Sequence, residues 1–408
     1  MDLRPRGYEK VVRLIEKGVE VPNAFSLDIG DDVDVARISG QGVTVYPGCR
    51  IFGAKTVISA GVKLGAEGPV TIDDCRLGPK VELKGGYFKQ SVFLEKANMG
   101  LGAQVREGCL LEEEANGAHC VGLKQTILFP FVTLGSLINF CDCLMAGGTS
   151  RKDHSEVGSS YIHFNYTPDG DKTTASLFGD VPRGVMLNRP PIFLGGEGGA
   201  VGPVRVGYGT VVAAGSILLH DIPDDGKLVA AAPPPGFERD RRPHAYRNLV
   251  RVVRNNVIYL ANLVALEEWY KKVREPFFAR QEMGGLVYAG ALEMLSLARE
   301  ERTKRLAAMA EKVSTADTAG RAFREQAAEV CALFGDTSAT GEVGSEGVQF
   351  LAALQSAGPG PADYIQTIQG LTPDVSAKGI QWLQGIVDGL CRKADTLLRS
   401  MDLFDSRL

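Results

Sequence analysis

An aliphatic or small residue recurs at every sixth position near the middle of the chain. The positions are Leu194, Ala200, Val206, Val212 and Leu218. A period of six fits neither an α-helix nor a strand on its own, but it suits a solenoid in which a short strand and a turn recur along three flat walls. The ladder therefore predicts a parallel β-helix.

The same period appears earlier in the chain. It spaces three apolar triplets, which are Val45, Ile51 and Val57, then Ile58, Leu64 and Val70, and then Val132, Ile138 and Leu144. Three hexads close one coil and strands stack about 4.8 Å apart, so residues 33–220 predict about ten coils and a prism roughly 45–50 Å long. An antiparallel β-sandwich is the alternative, but a small residue at each repeated corner favours tight turns with positive φ.

Helical patterns flank the predicted solenoid. Before it, apolar residues at helical spacing predict an amphipathic helix over residues 5–18, which would cap the first coil. After it, three prolines at 233–235 cannot continue a hydrogen-bonded ladder. We therefore divide the chain into a cap (1–32), a β-helix (33–231) with a loop insertion at 145–193, a helical domain (232–334) and a C-terminal helical region (335–408).

The helical domain begins with a long apolar seam. Its members are Val250, Val253, Val257, Leu260 and Val264. Alternating steps of three and four predict a helix that packs in a bundle or coiled coil. Arg247, Arg251 and Arg254 form a neighbouring stripe, which we interpret either as a solvated face or as an anion-binding surface. The C-terminal region is interpreted as a cap or an oligomerisation module.

Composition excludes some classes of protein. The 408 residues carry a net charge of −4 with a pI near 5.9, unlike a general nucleic-acid-binding protein. The N-terminus is too charged for a signal peptide, and no apolar run is expected to span a membrane, so we expect a cytoplasmic protein. The eight cysteines show no disulfide framework. Cys141 and Cys143 are closely spaced, but a coil-filling role is favoured over a metal site, and no metal is predicted.

Candidate chemistry is expected where the repeat breaks, at 145–193, because a loop that leaves a solenoid costs ordering entropy without extending the core. This segment holds two of the five histidines, His154 and His163. An imidazole suits a general base at neutral pH, and a neighbouring carboxylate would make His154 more basic. We take both histidines as candidate bases, with a structural role as the alternative for each.

A family resemblance becomes specific in this segment. The run 157–166 (VGSSYIHFNY), followed by Asp169, Gly170, Lys172, Thr174 and Gly179-Asp180, resembles the acetyltransferase domain of the bifunctional glucosamine-1-phosphate acetyltransferase and N-acetylglucosamine-1-phosphate uridyltransferase. Residues 201–218 and 220–232 are similar to the next coils and to the closing stretch of hexapeptide-repeat acyltransferases. The resemblance implies a left-handed β-helix, a homotrimer and acetyl-CoA or another acyl-CoA as cosubstrate.

The resemblance also assigns roles to single residues. It implies that the cosubstrate is contacted by Asn165 and Tyr166, by the backbone at Ser159 and Ala214, and by Arg241 and Arg242 near the CoA phosphates. Lys172 falls on the lysine that binds the sugar phosphate. Arg151, Lys152 and Glu156 are further candidates for binding the substrate, with a solvated loop charge as the alternative for Arg151.

Two departures from the family pattern bear on activity. Asp142 stands where the family has its catalytic histidine, and the Gly-rich nucleotide loop of the uridyltransferase half has no counterpart, so pyrophosphorylase activity is not expected. The leading hypothesis is an acyl-CoA-dependent acyltransferase, acting on an amino sugar phosphate or a nucleotide sugar in a groove between adjacent prisms. The alternative is a non-catalytic β-helix that binds a sugar nucleotide or a partner protein. A carbonic anhydrase on the same fold is disfavoured, because the five histidines are poorly spaced for zinc.

Overall fold

Three parallel sheets form the walls of a long solenoid in this computed structural model, which describes residues 4–165, 173–232, 235–238, 240, 246, 248–335, 343–356 and 363–404. Two walls have ten strands and the third has eight. Successive strands along the chain pass from wall A to wall B to wall C and back to wall A, and every pairing within a wall is parallel. The predicted parallel β-helix of about ten coils is confirmed, with a topology consistent with the left-handed form.

The strands are short, as a hexad requires. Wall A contains β1 (Asp28–Ile29), β3 (Arg50–Phe52), β6 (Val70–Asp73), β9 (Gly86–Lys89), β12 (Ala103–Val105), β15 (Val121–Lys124), β18 (Ile138–Cys141), β23 (Ile162–Phe164), β26 (Gly199–Val201) and β29 (Ile217–Leu218). Wall B contains β4 (Val57–Ile58), β7 (Arg76–Leu77), β10 (Ser91–Phe93), β13 (Cys109–Leu111), β16 (Ile127–Leu128), β19 (Cys143–Met145), β24 (Ser176–Phe178) and β27 (Arg205–Val206). Wall C contains β2 (Thr44–Val45), β5 (Lys63–Leu64), β8 (Glu82–Leu83), β11 (Asn98–Met99), β14 (Asn116–Gly117), β17 (Thr133–Leu134), β22 (Glu156–Val157), β25 (Phe193–Leu194), β28 (Val211–Val212) and β30 (Leu228–Val229).

The hexad ladder is the interior of the prism. Leu194, Ala200 and Val212 are fully buried, and Val206 and Leu218 are 2% exposed. Each lies on a strand of a different coil or wall, so the period of six places one side chain of every strand in the core. The close packing of these inward residues explains why the pattern could be recognised from sequence.

The segment 145–193, predicted as one loop insertion, is instead mostly regular solenoid. β22, β23 and β24 occupy their places in the three walls. The chain leaves the coil at two described points, an antiparallel hairpin of β20 (Gly148–Ser150) and β21 (Asp153–His154), and a stretch after β24 that contains the short helix α2 (Val181–Gly184). The prediction of a single break was wrong because each excursion returns in register with the coil below it.

The N-terminal cap forms as predicted. Helix α1 (Tyr8–Lys17) buries Val11 and Leu14, and it ends at Gly18, whose φ of 106° suits glycine. Ladder contacts begin earlier than the predicted residue 33, since β1 pairs with β3 and Glu20 pairs with Thr44.

Helices follow the solenoid, and two of them contact wall B. The described helices of this part are α3 (Leu249–Trp269), which continues as a π-helical turn (Tyr270–Arg274) into α4 (Glu275–Phe278), then α5 (Gly284–Lys312), α6 (Thr318–Ala332), α7 (Ser345–Ser356), α8 (Tyr364–Gln369) and α9 (Pro373–Leu397). Helix α5 contacts β7, β10 and β13, and α3 contacts β24. Gly290 allows the close approach of α5, because a Cβ at this position would lie 2.3 Å from Cδ of Arg76.

Charged side chains join the helices to the solenoid. Arg76 of β7 donates to Glu293 of α5 at 2.6 Å. Deeper in the contact, Arg274 is 1% exposed and its guanidinium pairs with Glu112 and Glu113, which follow β13. Tyr270 donates its hydroxyl hydrogen to Glu112 Oε1 at 2.5 Å. Burial raises the pKa of Glu112 to about 7, although Arg274 opposes the shift.

One helical stretch, Leu249–Phe278, is long and apolar enough to cross a membrane by length and composition, which the sequence analysis did not expect. Its apolar window is 67% buried inside the protein. Helix α3 contacts α5 and α9 as well as wall B. The stretch therefore has the surroundings of a core helix.

Candidate functional site

Six of the described candidate residues lie on three different edges of the prism. Turns from wall C to wall A form edge CA, which carries Ser159 and Ala214. Turns from wall A to wall B form edge AB, where Asn165 follows β23. Turns from wall B to wall C form edge BC, which carries the β20–β21 hairpin. One protomer therefore does not bring the candidates into a single pocket.

Edge CA is an exposed column of small turn residues. Ser159 and Ala214 are exposed, and Gly196 lies between them on the intervening coil. Within the described part of the chain, the backbone N–H groups of these three residues donate to no acceptor. Stacked coils thus present unpaired donors along a shallow edge, which suits an extended ligand that carries carbonyl groups.

Edge AB carries Asp142, the residue that the resemblance aligns with a catalytic histidine. Asp142 lies in a turn with φ of 59°, and its Oδ1 accepts a hydrogen bond from Nη2 of Arg302 at 2.6 Å. Arg302 belongs to α5 and is 3% exposed. Thr174 donates to Oδ2 of Asp142 at 3.3 Å. Both carboxylate oxygens of Asp142 are thus occupied by contacts within the protein.

Four of the candidate residues fall outside the described residues. They are Tyr166, Lys172, Arg241 and Arg242. Asn165 is described and exposed at the end of β23.

His163 lies inside the solenoid. It is 5% exposed, and its Nε2 is 2.8 Å from the hydroxyl oxygen of Ser176. The rings of Phe140 and Phe178 meet it edge-on. Burial lowers the pKa of His163 to about 4, although Asp142 opposes the shift. Asn165, just beyond the end of the strand, is exposed whereas His163 is buried, and the geometry favours the structural alternative for this histidine.

The buried neutral His163 predicts a loss of stability in acid. An unfolded histidine takes up its proton near pH 6.5, whereas the folded one does so near pH 4. Its contribution is therefore present above pH 6.5 and is lost as the pH falls towards 4, by about 3 kcal/mol. His163→Gln keeps a partner for Ser176 and should flatten the dependence of the unfolding midpoint on pH in urea titrations between pH 4 and 7.

His119 provides a matched control for this measurement. It is exposed at edge CA, with Nδ1 2.9 Å from the hydroxyl oxygen of Ser136. His119→Gln should leave the dependence on pH as in the wild type. If His163→Gln loses as much stability in acid as the wild type does, His163 is not the group responsible.

The hairpin at edge BC contains His154, Arg151 and Lys152. His154 is half-buried, and its Nδ1 is buried without a hydrogen-bond partner among the described residues. Arg151 Nη1 donates to the carbonyl oxygens of Glu114 and Phe131 at 3.0 and 2.8 Å. Arg151 therefore tethers the hairpin to the solenoid, while Lys152 is exposed in the turn.

Glu156 lies on the outward face of wall C, beside Thr133 and Phe193 in register. Among the described residues, no three His, Cys, Asp or Glu side chains form a group that could hold a metal ion. The eight cysteines are free, and Cys143 is buried in the coil.

Arg302 belongs to this region although no sequence motif marks it. It lies 160 positions after Asp142, and a lone arginine on a helix carries no local signal of its partner. The column of unpaired N–H groups was anticipated only where the resemblance named Ser159 and Ala214.

Comparison with known proteins gives a partial match. No model of a known family matches the chain. Among curated proteins, it is similar to the bifunctional protein GlmU of Fervidobacterium nodosum (27% identity, covering 54% of this chain and 44% of the relative), of Trichlorobacter lovleyi (26%, covering 54% and 43%) and of Thermotoga maritima (25%, covering 52% and 42%). The chain thus spans less than half the length of these relatives.

One comparison with solved structures matches a UDP-N-acetylglucosamine acyltransferase from Campylobacter jejuni. The identity is 15%, the match covers 50% of this chain and 67% of that one, and the TM-score is 0.15. A likeness of this size supports no statement about shared function.

Proposed function

We propose that this chain, whose solenoid half is similar to part of the GlmU proteins, is an acyl-CoA-dependent acyltransferase that acts on an amino sugar phosphate or a nucleotide sugar in the cytoplasm. The observation that carries the proposal is the column of unpaired N–H groups at Ser159, Gly196 and Ala214. The amide-rich arm of acetyl-CoA or another acyl-CoA has carbonyl groups that such a column can bind. The small side chains leave room for it.

The acceptor amine attacks the thioester carbon, the new C–N bond forms, and the C–S bond breaks. A base takes the proton from nitrogen, and the thiolate leaves as free CoA once it is protonated. Backbone N–H groups of the column are suited to hold the oxyanion. Of the two candidate histidines, His154 has an Nδ1 without a partner among the described residues, whereas His163 is enclosed in the core. His154 lies on edge BC, so it can act as the base only where this hairpin also borders the bound acceptor.

Edge CA and edge AB belong to different corners of one prism, so a complete site needs a second copy. We propose a homotrimer in which edge CA of one protomer faces edge AB of its neighbour, where Asn165 and the positions of Tyr166 and Lys172 follow β23. Arg241, Arg242, Lys152 and Glu156 remain candidates for binding the phosphate or sugar groups.

One observation favours the non-catalytic alternative, a β-helix that binds a sugar nucleotide or a partner protein. Asp142 occupies the position of the family's histidine and is held by buried Arg302. A chain that only binds its ligand has no need of a base at this position.

Ala214→Phe tests the proposal by filling the column. We expect acetyl-CoA to bind the wild type, and we expect the substitution to weaken binding about tenfold or more, since a phenyl ring would lie over the unpaired N–H groups. Isothermal titration calorimetry of the full chain measures the affinity. Ala54→Phe is the matched control, because Ala54 is also exposed in a coil turn but on edge AB of an early coil.

Turnover separates the two functions. Release of free CoA is measured with glucosamine 1-phosphate and with UDP-linked amino sugars as acceptors. Binding of acetyl-CoA without turnover on any acceptor would favour the non-catalytic alternative. Equal affinities for Ala214→Phe and Ala54→Phe would remove edge CA from the proposal.

A further inference from the structure

Three arginines converge on a single carboxylate where α3 meets the last coils of the solenoid. Asp221 lies 3.4 Å from Arg254, 3.5 Å from Arg251 and 4.0 Å from Arg205. Arg205 belongs to β27, and the other two belong to α3. We call these four residues the arginine cluster. Its three cations and one anion leave a formal surplus of two positive charges.

The hydrogen bonds to Asp221 leave some N–H groups of these arginines without an acceptor among the described residues. Its oxygens accept from the Arg205 backbone N–H at 3.1 Å and from Asn255 Nδ2 at 2.9 Å, in addition to Arg254. Arg251 also donates to the carbonyl oxygen of Pro203 at 2.7 Å. The Nε groups of Arg205 and Arg254 are buried and have no acceptor among the described residues. A buried N–H of a guanidinium without an acceptor is costly, so the cluster has the donors that an anion would satisfy.

The pKa of Arg205 is lowered from its ordinary value. Burial is the largest cause, the cation of Arg254 lowers the pKa further, and the carboxylate of Asp221 opposes the shift.

A cavity of about 170 Å³ opens beside Arg205, between wall B and helices α3 and α9. Its lining includes Arg183, Gly207, Ile258, Asn262 and Gln384. Asp180 also lines the cavity, and Arg183 lies 2.6 Å from both Asp180 and Asp225. Arg183 is therefore balanced by acids, whereas Arg205 is not, and an anion is favoured at the Arg205 end. The volume admits a phosphate group but not a drug-sized ligand.

We propose that the arginine cluster, which borders this cavity at Arg205, binds the phosphate group of a small phosphorylated compound. Planar guanidinium groups from two elements give the paired donors that suit phosphate oxygens. Bound phosphate would neutralise the surplus charge and join β27 to α3. The site is on the helix-covered side of the prism, away from edge CA, and it stands whether or not the chain is an acyltransferase.

Inorganic phosphate is the probe for a thermal unfolding assay of the full chain at constant ionic strength. We expect a saturable rise in the unfolding temperature of the wild type, because a ligand that binds only the folded state stabilises it. Arg254→Gln should weaken the apparent affinity about tenfold or more. In phosphate-free buffer the same variant should be no less stable than the wild type, since it removes a repelled cation.

Arg305→Gln is the control, because Arg305 pairs with Glu301 on the partly exposed face of α5. It should respond to phosphate as the wild type does. A wild type that shows no saturable response, or an Arg254→Gln variant that responds equally well, would overturn the proposal. A marked loss of stability of Arg254→Gln in phosphate-free buffer would also overturn the proposal, because the arginine cluster would then serve to stabilise the fold.

Acetyl-CoA then identifies the source of the phosphate. If acetyl-CoA stabilises Arg254→Gln as strongly as the wild type while phosphate does not, the site serves a separate phosphorylated compound. If both responses are lost together, the phosphates of the cosubstrate occupy the cluster. Neither result depends on turnover, so failure of the acyltransferase proposal remains distinguishable from failure of this one.

Discussion

Replacement of Arg274 by methionine is expected to lower the free energy of unfolding by about 3–5 kcal/mol, because it leaves buried carboxylates without their cation. Arg274 pairs with Glu112 and Glu113 and lies 3.9 Å from the ring centre of Tyr364. Methionine keeps much of the side-chain volume, so the lost charge dominates the effect. Urea unfolding at pH 8, followed by circular dichroism, measures the loss.

The stability that Arg274→Met loses should be larger at high pH than at low pH. Burial already raises the pKa of Glu112 to about 7, so the contribution of this carboxyl is present below its unfolded pKa and is lost as the pH rises through 7. Without Arg274 the shift grows, because one of the groups that lowers the pKa is gone. The variant should therefore recover part of its stability at pH 5.

Arg305→Met serves as the control for Arg274→Met. Arg305 is paired with Glu301 one helical turn away and is partly exposed, and such surface pairs contribute less than about 1 kcal/mol. A loss for Arg274→Met no larger than that of the control, or a loss that is the same at pH 5 and pH 8, would contradict a buried charged junction.

Phe140→Ala is expected to cost about 3–5 kcal/mol by leaving a cavity in the coil. Phe140 is fully buried on β18, and its ring centre lies 5.2 Å from that of Phe178 and 6.3 Å from that of Tyr161. Rigid strands above and below limit how far the coil can collapse into the gap. Urea unfolding gives the size of the effect, and hydrogen exchange should show it concentrated in neighbouring coils.

Phe193→Ala is the matched control on the same solenoid. Phe193 points outwards from wall C and is 38% exposed, so the substitution should change the free energy of unfolding by less than about 0.5 kcal/mol. Similar losses for the two variants would mean that the interior of the coil is not closely packed.

The solenoid could be predicted because its information is local. Leu194, Ala200 and Val206 repeat at a fixed step, and each repeat reports one inward position. Helix α3 was predictable for the same reason, since its apolar seam has the helical period. Patterns of this kind depend only on neighbours within a few turns of chain.

The arrangement of the candidate site could not be obtained in this way. Ser159 and Ala214 share an edge, but the chain between them leaves the solenoid around α2. This excursion interrupts the six-residue period, so the number of coils between the two residues cannot be counted from the sequence. The pairing of Asp142 with Arg302 crosses 160 residues. The burial of His163 against Phe140 and Phe178 joins residues from three strands of neighbouring coils. Each of these depends on tertiary contacts that no short pattern encodes.

The charged contact between wall B and the helices has a consequence during synthesis. Arg76 is made 217 residues before its partner Glu293, which corresponds to roughly 10–40 s of translation at about 5–20 residues per second. During that time the nascent chain has no helices to pack on wall B of its early coils. The outward row of this wall is largely apolar, because Arg76 lies in register with Val92, Leu110, Ile127, Leu144 and Leu177. The early coils therefore expose a hydrophobic strip until α3 and α5 are made, and this strip favours aggregation of nascent chains.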